Sequence, residues 1–270
     1  MYVLDIKQGS SLVASLTIDS KGNLYGTSMN GGNRDFGSVF ELSPATNAAP
    51  KWIPTVIHSF GHDEDGIAPW DQVILDQAGN VFGTTRDGGP AGGGIVFELT
   101  PDSRGDWMES ILYRFTLKSG GEPYDAPAFD QAGNLYGAAS TAGGPPCNCG
   151  AIFELQHTST GWKETALHRF QGTDGSTPVA GLVFDAKGNL YGTTQEGGAH
   201  SSGTVFQLAP DSNGHWTHTI LYDFPQFKNG SGPVTTLVFD KAGNLYGTAA
   251  GGIETCSGGC GVGLQTHSRL

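Results

Sequence analysis

The residues best equipped for chemistry in this chain stand out by where they fall. Trp70-Asp71-Gln72 and Tyr124-Asp125 each follow a proline, Pro69 and Pro123. A carboxylate in such a place can ligate a cation or take a proton from water, and an aromatic ring beside it can wall an apolar slot. Arg86 adds a guanidinium suited to steadying negative charge on a reacting oxygen. The densest acidic run, Gly61-His62-Asp63-Glu64-Asp65-Gly66, supplies carboxylate oxygens of the kind calcium prefers, although its spacing is not that of an EF-hand. Asp63, Asp65, Asp71 and Asp125 are thus the candidate metal ligands, and Asp71, Asp125, Arg86 and His200 the candidate catalytic groups. Trp70, Tyr124 and Gln72 are the candidate substrate-binding residues. His200, in EGGAHSSG, and His62 are the histidines best placed for acid–base work. The chain has no G-x-S-x-G, H-E-x-x-H or P-loop pattern, which argues against serine-hydrolase, zinc-protease and nucleotide chemistry.

These residues must be held by a repeat. The turn motif D-x-x-G-N recurs at Asn23, Asn80, Asn134, Asn189 and Asn244, a period of 54–57 residues that signals a solenoid, propeller or array. Four short β-branched or aromatic pieces surround each motif, clearest in the fourth copy as PVAGLVFD (178–185), GNLYGTT (188–194), GTVFQLAP (203–210) and HWTHTILYDF (215–224). Four strands per copy and five copies predict an all-β, five-bladed β-propeller forming a single domain over 1–270. The blades are expected at 12–60, 69–115, 123–170, 178–224 and 233–266. The fifth copy lacks a fourth strand, and YVLDIKQGSS aligns with the fourth strands of other copies. The N-terminal strand 1–7 is therefore expected to complete the last blade and close the ring. The tail GVGLQTHSRL loses the repeat pattern, which keeps open a fragment of a longer array. Asp and Gly-Asn between the first two strands read as turn chemistry rather than five calcium loops. Trp52, Trp107, Trp162 and Trp216 open the fourth strands, where a large ring can cover the gap to a neighbouring blade.

Function is sought where the copies disagree, because a repeat array needs only its shared residues to fold. Two residues past the strand-opening proline the copies read Ala14, Asp71, Asp125, Ala180 and Thr235, and one residue earlier Val13, Trp70, Tyr124, Val179 and Val234. Six beyond the motif Asn they read Met29, Arg86, Ser140, Gln195 and Ala250. The second and third copies alone carry acids with aromatics, and the second alone the cation. The structural alternative is drift, with Arg86 and Asp71 as a half-exposed ion pair. His58 and His168 replace Tyr113 and Tyr222 of other fourth strands and read as packing variants, and Asp174 in GTDGSTP as a turn residue.

Composition bounds the rest. Forty-three glycines, 15% charged residues and a formal charge of −12 describe a globular, turn-rich chain with no basic stripe for nucleic acid. No apolar run is long enough to span a membrane, and the opening MYVLDIKQGSS lacks the regions of a secretory leader. A monomer is expected. Cys147-x-Cys149 and Cys256-x3-Cys260 favour pairing within each loop over a cross-link or a zinc site. Cys256–Cys260 is the easier bridge, since one across a single residue is strained. Paired cysteines agree with an oxidising compartment.

GNLYGTT, the GG pairs, GTVFQL and the W…LYDF strand resemble the bacterial tandem GloVer-repeat proteins over nearly the whole chain. That resemblance implies an extracellular or periplasmic setting and defines little chemistry. A looser resemblance runs to NHL- and gluconolactonase-type propellers, which imply a divalent ion in a central channel and lactone opening. A fainter one runs to metagenome-derived acyl-homoserine-lactone hydrolases. The leading expectation is a calcium-assisted hydrolase of a small lactone or ester acting at the channel mouth. The alternatives are a carbohydrate-binding or adhesive surface protein without catalysis, and a structural spacer.

Overall fold

The structure, a computed structural model, describes residues 10–45, 51–61, 64–116, 120–141, 147–225, 230–251 and 262–266. It is all-β: among the described residues there is no helix, and none therefore long and apolar enough to cross a membrane. The strands form five antiparallel sheets, one per copy of the repeat. Residues up to 116 with 121–127 make one compact unit, and the remainder a second.

In the first unit, β1 (Thr17–Ile18), β2 (Leu24–Ser28), β3 (Ser38–Ser43) and β4 (Ile53–Ser59) lie side by side in chain order. β5 (Ile74–Leu75), β6 (Val81–Thr85), β7 (Ile95–Pro101) and β8 (Trp107–Arg114) repeat the arrangement. The second unit contains β9 (Ala128–Phe129), β10 (Leu135–Ala139), β11 (Ala151–Thr158) and β12 (Gly161–Arg169) in one sheet. Its next sheet is β13 (Val183–Phe184), β14 (Leu190–Thr194), β15 (Thr204–Pro210) and β16 (Trp216–Asp223). The last sheet has three described strands, β17 (Val238–Phe239), β18 (Leu245–Ala249) and β19 (Val262–Thr266). Residues 1–7, expected to complete it, lie outside the described residues, as do Cys256 and Cys260.

Sequence patterning explains the burial. β6, β10 and β14, with their L/V-Y/F-G-T/A pattern, are buried along their whole length, as a strand covered on both faces must be. Fourth strands such as β8 alternate half-buried and exposed positions in their first half, because one face meets water. The first unit's core gathers Val39, Phe60, Val81, Ile95, Phe97 and Leu99, all at 0% exposure. The same positions recur in the second unit as Ile152, Phe170, Leu190, Phe206 and Leu208. Each four-stranded sheet also has a bulge between its third and fourth strands, beside Phe40, Phe97, Phe153 and Phe206, which turns the end of the fourth strand.

In the D-x-x-G-N turns the aspartate carboxylate accepts donors of its own turn. Oδ1 of Asp185 accepts the amides of Lys187 and Asn189, each at 2.9 Å, and Oδ2 accepts Asn189 Nδ2 at 2.8 Å. Asp19, Asp76, Asp130 and Asp240 do the same, and the motif glycines hold φ of 83–90°. Trp107 covers Tyr25 of the preceding repeat at 6.3 Å and Trp216 covers Tyr136 at 6.0 Å, the packing role expected of these rings.

The first strand of each sheet differs from expectation. Of the piece 178–185 only Val183–Phe184 joins the ladder. One residue before the strand-opening proline the backbone turns left-handed, at Ala68, Glu122 and Thr177 (φ 54–56°), with Ser11 and Gly232 at the equivalent places. That turn ends strand pairing and points the residue's amide at a loop of the preceding repeat. Ala68 N donates to Phe36 O, Glu122 N to Gly93 O and Thr177 N to Cys149 O, all at 2.9 Å. The residues next to these prolines are therefore positioned by a docked loop rather than by a sheet.

Candidate functional site

Two such loops build the most distinctive cluster in the first unit. Trp70 and Tyr124, each just past its proline, stand edge to face with ring centroids 5.4 Å apart and planes at 74°. Arg86, at the end of β6, is fixed by its amide donating to Ala68 O at 3.1 Å, and its guanidinium lies 5.3 Å from the Trp70 centroid and 6.0 Å from that of Tyr124. All three side chains are half-buried. Arg86 does not pair with Asp71. Its Nε and Nη2 both donate to Asp87 Oδ2, at 2.8 and 2.6 Å. That pair, above all, holds the guanidinium pKa up. Adjacency along the chain decides the partner, since Asp87 follows Arg86 directly.

The two aspartates turn to their own backbone. Asp71 Oδ1 accepts the Gln72 amide at 2.6 Å, and Asp125 Oδ1 the Ala126 amide at 2.7 Å. Their carbonyls in turn accept Thr27 Oγ1 at 2.8 Å and Thr84 Oγ1 at 3.0 Å. Asp125 is 7% exposed. Asp65 accepts the Gly61 amide at 3.0 Å, while Asp63 and His62 lie outside the described residues. Among the described residues, neither Asp71 nor Asp125 belongs to a group of three potential ligands within 4.8 Å of one another. His200 belongs to the second unit, is half exposed, and sits 3.4 Å from Asp223 Oδ1. A groove of about 760 Å³ beside the first two D-x-x-G-N turns is lined by Lys21, Tyr25, Glu41 and Trp107. Its turn acids, Asp19 and Asp76, are already saturated by amide donors.

Two groups that sequence reasoning passed over are real clusters. His58 on β4, Asp65 and Glu109 on β8 converge in the first unit, and His168 on β12, Asp174 and His218 on β16 converge in the second. The positions are equivalent: a histidine two residues before Phe60 or Phe170, an aspartate before Gly66 or Gly175, and the residue two past Trp107 or Trp216. The signal was available as an unexplained His-for-Tyr exchange in only two fourth strands. Asp174 is more than a turn residue, because besides capping the Gln171 amide it holds His168 Nε2 at 2.9 Å. Pairing within a loop holds at Cys147 and Cys149, which form a disulfide at a Cα separation of 5.1 Å although theirs is the harder of the two spacings to bridge.

Burial, with the Asp65 charge adding to it and Arg114 opposing, pushes the Glu109 carboxyl up to about 7. His58 Nε2 faces it at 3.7 Å. The unfolded chain releases this proton near pH 4.3. The folded state binds more protons between there and about 7, so stability falls as pH rises through that window. Glu109→Gln, which cannot ionise, is expected to gain on wild type through pH 4.3–7 and to level off above. The gain at pH 8 is about 1–2 kcal/mol after allowance for solvent screening. Urea melts at pH 5 and pH 8 test this: an equal difference at both refutes the assignment.

Comparisons with known proteins agree with the repeat. The model of the Gloeobacter/Verrucomicrobia repeat matches residues 1–108 and 72–261. No curated protein matches the chain. Among solved structures, an ulvan lyase described as a new family of polysaccharide lyase, bound to -[GlcA(1-4)Rha3S]-, is 11% identical. The match covers 97% of this chain and 71% of that one at a TM-score of 0.57. A protein of unknown function from Dyadobacter fermentans is 12% identical over 91% of this chain and 77% of its own, at 0.50. A luciferin-regenerating enzyme is 13% identical over 90% and 85%, at 0.49. At such identities the likeness to the first two is one of fold. The tandem sheets, their shared turns and a family match across nearly the whole length agree: the chain belongs to the Gloeobacter/Verrucomicrobia repeat family.

Proposed function

We propose that this chain is a five-bladed β-propeller that binds a neutral saccharide on a platform made by Trp70, Tyr124 and Arg86. The observation that carries the reading is the edge-to-face Trp70–Tyr124 pair with a guanidinium 5.3 Å from the indole, all three half-buried. Half-buried aromatic rings of this kind suit the C–H face of a pyranose. The bonds to Asp87 use two of the guanidinium's five N–H donors, so Arg86 and Asp87 together offer donors and an acceptor to neighbouring hydroxyls. The pair is electrically balanced and the chain carries −12 overall, which disfavours a polyanionic ligand. Five successive antiparallel sheets, and the fold likeness to a polysaccharide lyase, support the propeller. The Cys147–Cys149 bridge supports an extracytoplasmic setting.

Metal-assisted lactone hydrolysis has less behind it. The carboxylates it would use, Asp71 and Asp125, hold their own chain rather than a common point. A glycan array followed by titration of the neutral hits tests the proposal. Trp70→Ala and Tyr124→Ala are each expected to weaken binding by about tenfold, or 1.4 kcal/mol, with the far-UV spectrum unchanged. Binding indifferent to both substitutions, or no neutral glycan bound, refutes it. Turnover of an acyl-homoserine lactone that needs calcium and is lost on Asp71→Ala would favour the hydrolase instead.

A further inference from the structure

The fourth strands β12 and β16 carry a second constellation, with no part in the saccharide platform. His168 and His218 stack face to face, ring centroids 4.1 Å apart and planes within 5°. Asp174, on the loop after β12, brings Oδ2 to 2.9 Å from His168 Nε2. His218 Nε2 is buried and has no hydrogen-bond partner among the described residues, an arrangement that wastes a lone pair or leaves a proton unsatisfied. Phe170 and Phe206 wall the cluster, their centroids 5.7 and 5.6 Å from that of His218. His168 and Asp174 keep side-chain exposures of 20% and 23%, which leaves a path in from solvent.

We propose that His168, Asp174 and His218 bind one divalent transition-metal ion of the zinc class, tying β12 to β16. Two imidazole nitrogens and one carboxylate oxygen, with water in the open position, make a standard three-ligand set for zinc. Calcium, which takes six to eight oxygens, is excluded by the same donors. The three ligand atoms already lie within 4.8 Å of one another. Closing them round an ion with bonds of about 2.0–2.1 Å requires the stacked rings to tilt so that their nitrogens converge. An ion also gives the orphaned His218 nitrogen its missing partner. The bulge between Ile152 and Phe153 sets the side chain of His168, which pairs with Ile152, toward the next sheet.

The equivalent place in the first unit is the internal comparison. There Glu109 stands where His218 does, giving one imidazole and two carboxylates, a poorer set for zinc.

The test uses the whole chain, stripped with chelator and dialysed. Zinc chloride is titrated by calorimetry and by thermal melting, and cobalt(II) is followed by its visible absorption. One zinc per chain is expected at this site, with a raised melting temperature and a cobalt spectrum of low coordination number. His218→Gln and Asp174→Asn are each expected to weaken that zinc by more than about 100-fold, beyond what loss of an outer-shell partner costs. Glu109→Gln should leave it unchanged. Should His218→Gln fail to fold, Asp174→Asn, at a half-exposed position, decides alone. No saturable zinc binding in wild type, or zinc binding and melting shift preserved in the folded variants, overturns the proposal.

Discussion

Gly94→Ala is expected to destabilise the protein by about 4 kcal/mol and to remove the saccharide platform with it. Gly94 ends the loop that leads from Arg86 back into β7, at φ +85°, a conformation that costs a side-chain-bearing residue 1–3 kcal/mol. An added Cβ would fall on the carbonyl oxygen of Thr85 and within 2.8 and 3.0 Å of the Arg86 carbonyl atoms. These are backbone atoms, so no rotamer change relieves the clash. The same glycine donates to Gly88 O at 2.9 Å and accepts the Phe115 amide at 3.0 Å, so a shift there disturbs both the loop and the end of β8. Arg86 would be displaced from Trp70, linking a stability defect to a binding defect. Gly92, two residues earlier, is the control. It too has a positive φ, +72°, but no described residue lies within 4 Å of its missing Cβ, so Gly92→Ala should cost only about 1 kcal/mol. Urea unfolding of both variants, with glycan titration at a matched folded fraction, reads the difference. Equal costs at the two glycines would show that backbone strain alone operates and that the close approach to Arg86 is relieved.

What was legible in the sequence and what was not divides along chain distance. The turn at Asp185–Asn189 is written in five consecutive residues, so its carboxylate contacts follow from local chemistry. The strands from Leu190 and Thr204 onward follow from short β-branched runs between turns. The first strand is shorter than its sequence predicts because nothing in Thr177-Pro178 announces a left-handed residue, and only docking onto Cys149 O explains it. Comparing copies position by position did isolate Trp70, Tyr124 and Arg86, which the fold brings together. A position in a repeat does not say whether a carboxylate faces outward or takes its neighbour's amide, and Asp71 and Asp125 each accept the amide of the next residue. The His168–Asp174–His218 cluster joins residues fifty apart, through the register of two sheets and a bulge. Sequence shows the odd histidine; only the paired strands show its company.

The repeat's own logic makes the last prediction. Each buried second strand has a glycine at its centre, and facing it on the third strand is a phenylalanine: Gly192 pairs with Phe206 on β15. A Cβ on Gly192 would lie 2.7 Å from Phe206 Cζ and 2.7 Å from Leu182 Cδ2, so the ring fills the space the missing side chain leaves. Gly192→Ala is therefore expected to cost about 1–3 kcal/mol by overpacking. Phe206, at 0% exposure and 5.3 Å from the ring of Phe170, is expected to cost about 3–5 kcal/mol as Phe206→Ala. Together the two changes should cost less than their sum by about 1–2 kcal/mol, since the new methyl enters part of the void and its clash with the ring is gone. Equilibrium denaturation of the two single variants and the double variant closes the cycle. A sum additive within about 0.5 kcal/mol would mean that the glycine is there for the strand's approach to Leu182 and not to receive the ring. Non-additivity would identify the Gly–Phe pair, repeated as Gly26–Phe40, Gly83–Phe97 and Gly137–Phe153, as the unit by which the four-stranded sheets are packed.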